Sequence, residues 1–148
     1  MKHYKMYGLV PYNISDKQKG IQFLHAVQRY NNYYMKKPKD KTFSCFKEWA
    51  FKNETVIMLN GGTTNTNPKK LGTLNKYLEQ IKILSLYPVI PFYEEDLGNQ
   101  LTGFAFLVDA RVFDSTLYPE FSDESIKLDK EGKKIRSLRL LLQSLKLA

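Results

Sequence analysis

The stretch Gly8-Leu9-Val10-Pro11-Tyr12-Asn13-Ile14-Ser15-Asp16, followed by a helical pattern from Lys17 to about Tyr34, decides the fold. Its start is apolar and short, as a strand is. Pro11 ends that strand, because proline has no N–H for a ladder. Ser15 or Asp16 caps the helix through a side-chain oxygen. The helix carries Gln22 and His25, three positions apart and therefore on one face. Ligands of α/β folds bind beyond the carboxyl ends of strands. The strand–helix junction with Tyr12, Asn13, Gln22 and His25 is thus the first candidate site.

Working outward, Tyr4 to Val10 reads as the first strand, with alternating Tyr, Met and Tyr before Leu9-Val10. A lysine- and proline-rich loop around Pro38 leads to a second helix with Phe43, Phe46, Trp49 and Ala50 at core spacing. Thr55-Val56-Ile57-Met58-Leu59 is continuously apolar and predicts a buried central strand. Thr73 to Ser85 predicts a helix with Leu74, Tyr77, Leu78, Ile81 and Leu84 on one face. Tyr87 to Phe92 predicts an edge strand, because of Pro88 and Pro91. Thr102 to Val108 predicts a buried strand, and Asp114 to Gly132 is irregular. A basic helix from about Lys133 to Lys146 closes the chain, with Ile135, Leu138, Leu141, Leu142 and Leu145 apolar. The order β-α-α-β-α-β-β-α implies one α/β domain over 1–148, with a mixed four-stranded sheet flanked by helices.

The 148 residues are 43% hydrophobic and 26% charged, ordinary for a globular domain. The single cysteine, Cys45, excludes an intrachain disulfide and a cysteine metal cluster, and favours a reducing, cytoplasmic setting. No apolar run is long enough to cross a membrane, and the first residues do not form a signal peptide. The net charge of +8 favours an anionic partner; solubility alone also accounts for it. Ten Tyr and nine Phe supply flat faces that suit nucleobases as well as cores.

A second candidate element is Asn60-Gly61-Gly62-Thr63-Thr64-Asn65-Thr66-Asn67-Pro68-Lys69-Lys70, a loop between strand and helix. Its glycines expose backbone N–H groups, its hydroxyls and amides donate, and Lys69 and Lys70 add charge, a mixture that suits a phosphate. The Walker spacing is absent, and a plain glycine-rich turn is the alternative. A third element is Glu94-Glu95-Asp96, read equally as a solvated turn. If its strand neighbours the first, His25, Asp96 and Thr102 form a cluster able to orient water for ester hydrolysis. His3 lies in a terminal segment, and HExxH and CxxC patterns are absent, so neither metal nor cofactor is expected.

Two resemblances add to this. The element order and Gln22-Phe23-Leu24-His25-Ala26 resemble the archaeal and eukaryotic type of peptidyl-tRNA hydrolase, whose histidine in this segment is catalytic. Asp96-Leu97-Gly98 matches the first half of that family's Asp-x-Gly-x-Thr segment, but Gln100 stands at the threonine position and Thr102 is two places late. Lys19-Gly20 is displaced and inverted relative to the family's Gly-Lys. The resemblance implies a hydrolase-like fold, tRNA as partner, and His25, Asp96 and Thr102 as catalytic residues.

A closer resemblance is to a family of small tailed-bacteriophage proteins. It rests on Leu9 to Ser15, Lys19-Gly20-Ile21-Gln22, His25-Ala26, Leu59 to Thr63, and Leu101 to Phe113. Phe23 and Leu24 are bulky where that family has small residues. This family looks like a fold relative of the hydrolase, and some members sequester nucleotide immune signals of the host. The resemblance implies binding of an anionic cyclic oligonucleotide in the infected cell, without turnover. The ligand residues expected are Tyr12, Asn13, Gln22, His25, Gly61, Gly62, Thr63, Thr64, Lys69 and Lys70. The wide leucine stripe of the last helix predicts a homodimer or dimer of dimers.

Overall fold

The computed structural model describes residues 3–65 and 70–148. Strand β1 (Tyr4–Val10) leads into helix α1 (Asp16–Lys36), α2 (Phe43–Glu48) with a π-helical continuation (Trp49–Asn53), and strand β2 (Val56–Asn60). Helix α3 (Thr73–Leu84), strands β3 (Val89–Glu94) and β4 (Gln100–Asp109), the short α4 (Ala110–Phe113) and α5 (Lys130–Gln143) follow. The sheet order is β2-β1-β4-β3, with β1 and β2 parallel and the other two pairings antiparallel. The fold is therefore α/β with a mixed four-stranded sheet, as the element order implies.

β4 is apolar on both sides because both faces of the sheet are covered. Ala105 and Leu107 meet Phe23, Ala26, Tyr30 and Phe46 on one face. Phe104, Phe106 and Val108 meet Leu74, Ile81, Ile135 and Leu138 on the other. Successive side chains of a strand point to opposite faces, so one uniform run serves two cores. On α1, Phe23, Ala26, Tyr30 and Tyr34 recur at helical spacing and are buried. Tyr34 stacks on Phe46 with ring centroids 4.6 Å apart, which fastens α2 to the same face.

Two expectations need correction. β2 is not central: it is an edge strand, and Val56 is 51% exposed. Its outer edge is partly paired by residues 146–148, through Asn60 N–H to the Lys146 carbonyl (2.8 Å) and Ala148 N–H to the Met58 carbonyl (3.0 Å). An apolar run reports covered faces, not the number of neighbouring strands. The last helix runs Lys130–Gln143 rather than from Lys133 to Lys146, because Asp129 caps it by accepting Gly132 N–H at 2.7 Å. Ile135, Leu138 and Leu142 are buried within the chain, so the leucine stripe serves this core. Arg139 is buried beside them and donates to the carbonyls of Val112 and Tyr118 and to Ser122 Oγ, pinning α4 and the segment after it onto α5.

Candidate functional site

The carboxyl ends of β1, β2 and β3 and the start of β4 lie at one end of the sheet. Ser15 caps α1 there, its Oγ accepting Gln18 N–H at 3.2 Å. Across from it, β3 turns into β4 through a 3₁₀ turn (Glu95–Leu97), with Gly98 and Asn99 in the left-handed region. Between α1 and this turn is an open cleft of about 560 Å³. Ser15, Gln18, Gln22 and His25 line it from the helix, and Glu94 and Asp96 from the turn. Ile14, Ile21 and Leu97 supply its apolar wall. A second cleft of about 400 Å³ adjoins it, sharing His25, Glu94 and Asp96 and adding Arg29, Phe92, Tyr93 and Asn99.

The polar groups are held from behind. Thr102 is fully buried and donates its hydroxyl to Gln22 Oε1 at 2.7 Å. Gln22, itself 3% exposed, donates from Nε2 to Gln18 Oε1 at 3.2 Å. A chain of hydrogen bonds thus runs from β4 to the cleft and orients both amides. The His25 ring lies flat on Phe92, with centroids 4.6 Å apart and planes 12° apart. The Arg29 guanidinium lies over the Phe92 ring at 5.5 Å. Among the described residues, no hydrogen bond or ion pair joins His25 to Asp96 or Thr102. Nor is any group of three His, Cys, Asp or Glu among them placed to hold a metal ion.

Of the residues expected from sequence, Gln22, His25 and Asp96 come together around the first cleft. Thr102 stands behind Gln22, without access to the cleft. The Gly61–Thr64 half of the expected site is elsewhere, and it is not built as a phosphate cradle. Each of its N–H groups already has an acceptor: Gly61 at the Val10 carbonyl, Gly62 at Asn60 Oδ1, Thr63 at Thr73 Oγ1, and Thr64 at Asn13 Oδ1. Asn13 Nδ2 donates back to the Thr64 carbonyl at 3.2 Å, and Thr64 Oγ1 donates to the Leu101 carbonyl. The loop is a strut joining β1, β2 and α3. Gly62 is needed for conformation, since its φ is 86° and a Cβ would sit 1.8 Å from Thr73 Oγ1. Tyr12 is exposed in the β1–α1 connection, its N–H donating to the Gly62 carbonyl at 2.8 Å, and it lines neither cleft. Lys70 is exposed, and Lys69 lies outside the described residues.

Gln18, Phe92 and Arg29 are the residues that sequence reasoning missed. One signal was available: Gln18, Gln22, His25 and Arg29 follow one another at four, three and four positions, a polar stripe along one helix face.

The fold and site together define an α/β domain with a polar, carboxylate-bearing cleft beyond its strand ends. No protein-family model, curated protein or solved structure matches the chain significantly.

Proposed function

We propose that this protein binds and sequesters a nucleotide in the cleft between α1 and the β3–β4 turn, without turning it over. The observation that carries this is the convergence of two oriented amides, Gln18 and Gln22, a flat imidazole and two carboxylates on one cleft of about 560 Å³. Amides read base edges, a flat ring face receives a base, and carboxylates accept ribose hydroxyls, as an acidic residue does in dinucleotide-binding folds. That size lies within the range of small-molecule pockets. Neither Lys nor Arg lines this cleft among the described residues. The phosphates therefore lie outside it; of the two lysines in the first turn of α1, Lys17 is exposed and Lys19 is ion-paired with Asp16 at 3.1 Å. The long-range field of a chain with net charge +8 draws an anion in.

The resemblance to small tailed-bacteriophage proteins supports this reading and gives it a setting. There the ligand is a cyclic oligonucleotide immune signal, removed in the cytoplasm of an infected bacterium. A cyclic dinucleotide of roughly 45 heavy atoms, at about 0.3 kcal/mol per atom, reaches about −13 kcal/mol, near nanomolar affinity. Sequestration therefore needs no covalent step.

A second reading, ester hydrolysis in the manner of the peptidyl-tRNA hydrolases, is favoured by His25 and Asp96 lining the same cleft. Against it, no carboxylate among the described residues hydrogen-bonds His25, and the Thr102 hydroxyl is committed to Gln22. The test is calorimetry with a nucleotide panel, then heat release and mass spectrometry of the bound ligand. We expect one nucleotide to bind tightly and emerge intact. Binding weaker than about 10 μM for every nucleotide rejects sequestration on the affinity scale. Turnover of a model peptidyl-tRNA, lost in His25→Ala, replaces it with the hydrolase.

A further inference from the structure

We infer that the first cleft is specific for a guanine base, with the Glu94 carboxylate and the Gln18 side-chain N–H reading its Watson–Crick edge. This rests on the nucleotide reading of that cleft and specifies which base it takes. A side-chain amide can face either way round, and here the fold fixes its direction. The Thr102 hydroxyl is fully buried, and Gln22 Oε1, at 2.7 Å, is the one acceptor it has among the described residues. Gln22 therefore turns its oxygen to Thr102 and its Nε2 to Gln18, whose Oε1 accepts it at 3.2 Å. Gln18 Nε2 is left with no acceptor among the described residues, on an exposed side chain that lines the cleft. The helix side of the cleft thus ends in an N–H donor.

The turn side has the opposite polarity. Glu94 and Asp96 line it as acceptors, and no cation pairs with either among the described residues. Glu94 is half-buried and its Oε1 accepts Asp96 N–H at 3.4 Å, whereas Asp96 is exposed. Such a wall repels a phosphate but suits a neutral ring with adjacent N–H groups, since an ionised carboxylate only accepts. Guanine has that pattern: N1–H and N2–H lie side by side and donate to one carboxylate, and the neighbouring O6 accepts from an amide N–H. Adenine sets its N6–H beside the N1 lone pair, which opposes the second carboxylate oxygen. Cytosine does the same with N4–H and N3, and uracil flanks its N3–H with two carbonyls. Ile14, Ile21 and Leu97 give the flat ring an apolar wall, and Asp96 is left for a ribose hydroxyl.

The experiment is calorimetry of the full chain with GMP, IMP and AMP, and with cyclic di-GMP and cyclic di-AMP. GMP should bind roughly tenfold more tightly than IMP, which lacks the N2 amino group, and at least about 100-fold more tightly than AMP. Cyclic di-GMP should exceed cyclic di-AMP in the same sense. Glu94→Gln offers an amide that meets adenine N6–H and N1 together, so AMP should rise to or above the level of GMP. Gln18→Glu keeps the oxygen that accepts Gln22 and sets a second acceptor against O6, so GMP affinity should fall at least about tenfold. A thermal scan of each variant reads folding separately. Adenine nucleotides binding as tightly as guanine nucleotides, or a guanine preference unchanged in both variants, overturns the base assignment and leaves the nucleotide reading of the cleft standing. If the wild-type protein binds none of these nucleotides, both fall.

Discussion

Thr102→Val removes one oxygen from the middle of the protein and tests how the cleft is built. The Thr102 hydroxyl is fully buried and its one acceptor is Gln22 Oε1, at 2.7 Å. Valine has nearly the same shape, so packing is kept and only the donor is lost. Gln22 is 3% exposed, and its oxygen is then left buried without a donor. Such an orphan costs about 1–3 kcal/mol. At about 2–4 °C per kcal/mol for a chain of this size, Tm should fall by roughly 3–10 °C. Urea unfolding followed by circular dichroism should show a lower midpoint with an unchanged slope. Thr102→Ser keeps the donor and should lose only about 0.8 kcal/mol for the missing methyl group. In Thr102→Val with Gln22→Leu both partners become apolar, and the pair should be less damaging than the sum of its parts. Ligand affinity should follow the same order, falling in Thr102→Val and returning in Thr102→Ser. A Thr102→Val protein as stable as wild type, with full ligand affinity, would refute the claim that Thr102 positions Gln22.

His25→Ala should weaken nucleotide binding at least tenfold, about 1.4 kcal/mol by the affinity scale, with the melting temperature little changed; titration calorimetry and a thermal scan read the two separately. Thr63→Ala, which removes the acceptor for Thr73 N–H, and Gly62→Ala, which strains a φ of 86°, should each lower stability by about 1 kcal/mol or more and leave ligand affinity intact. Burial opposes ionisation of Asp109, but hydrogen bonds from Arg111 and Tyr87 outweigh it and hold the carboxyl below its ordinary value of 3.8. A carboxyl lowered in the folded state contributes stability that is fully present above 3.8 and is lost as pH falls through its folded value. The urea midpoint should therefore drop on acidification from about pH 5 to about pH 2, and less steeply in Asp109→Asn. Arg139→Met leaves the Val112 and Tyr118 carbonyls without their donor, and at about 1–3 kcal/mol for each orphan it should be the most destabilising of these changes in the same urea assay.

Much of the fold was legible because single residues carried it. Pro11 and Ser15 mark the strand end and helix start where the chain has them, and Pro88 and Pro91 identify β3 as an edge. The run ending in Val108 reads as buried, and β4 is buried along its length. β2 was misplaced because Val56 to Leu59 looks the same whether its second neighbour is a full strand or three residues of tail. Half of the candidate site was legible too, through Gln22, His25 and Asp96. In the glycine loop, composition counts donors but not that those of Gly61 to Thr64 are spent within the fold. Gln18 and Arg29 sit in a readable stripe with His25. Which helix face meets the β3–β4 turn depends on β4 lying between β1 and β3, and no local pattern encodes that order.

The position of β4 bears on how this chain reaches its native state. The strand at the centre of the sheet is the last of the four to be synthesised, and Tyr4 waits for Asp109 as its partner. Before β4 arrives, β1 and β2 have each other but no antiparallel neighbour, and the buried face of α1 lacks Ala105 and Leu107 to pack on. Contacts that close so long a loop are slow to form, and domains of this mixed kind fold between the fastest helical bundles and the slowest β-barrels. A nascent chain ending before Gln100 lacks the strand against which Phe23, Tyr30, Leu74 and Ile81 pack, and transiently exposed apolar surface of that kind is what makes partly folded chains prone to aggregate.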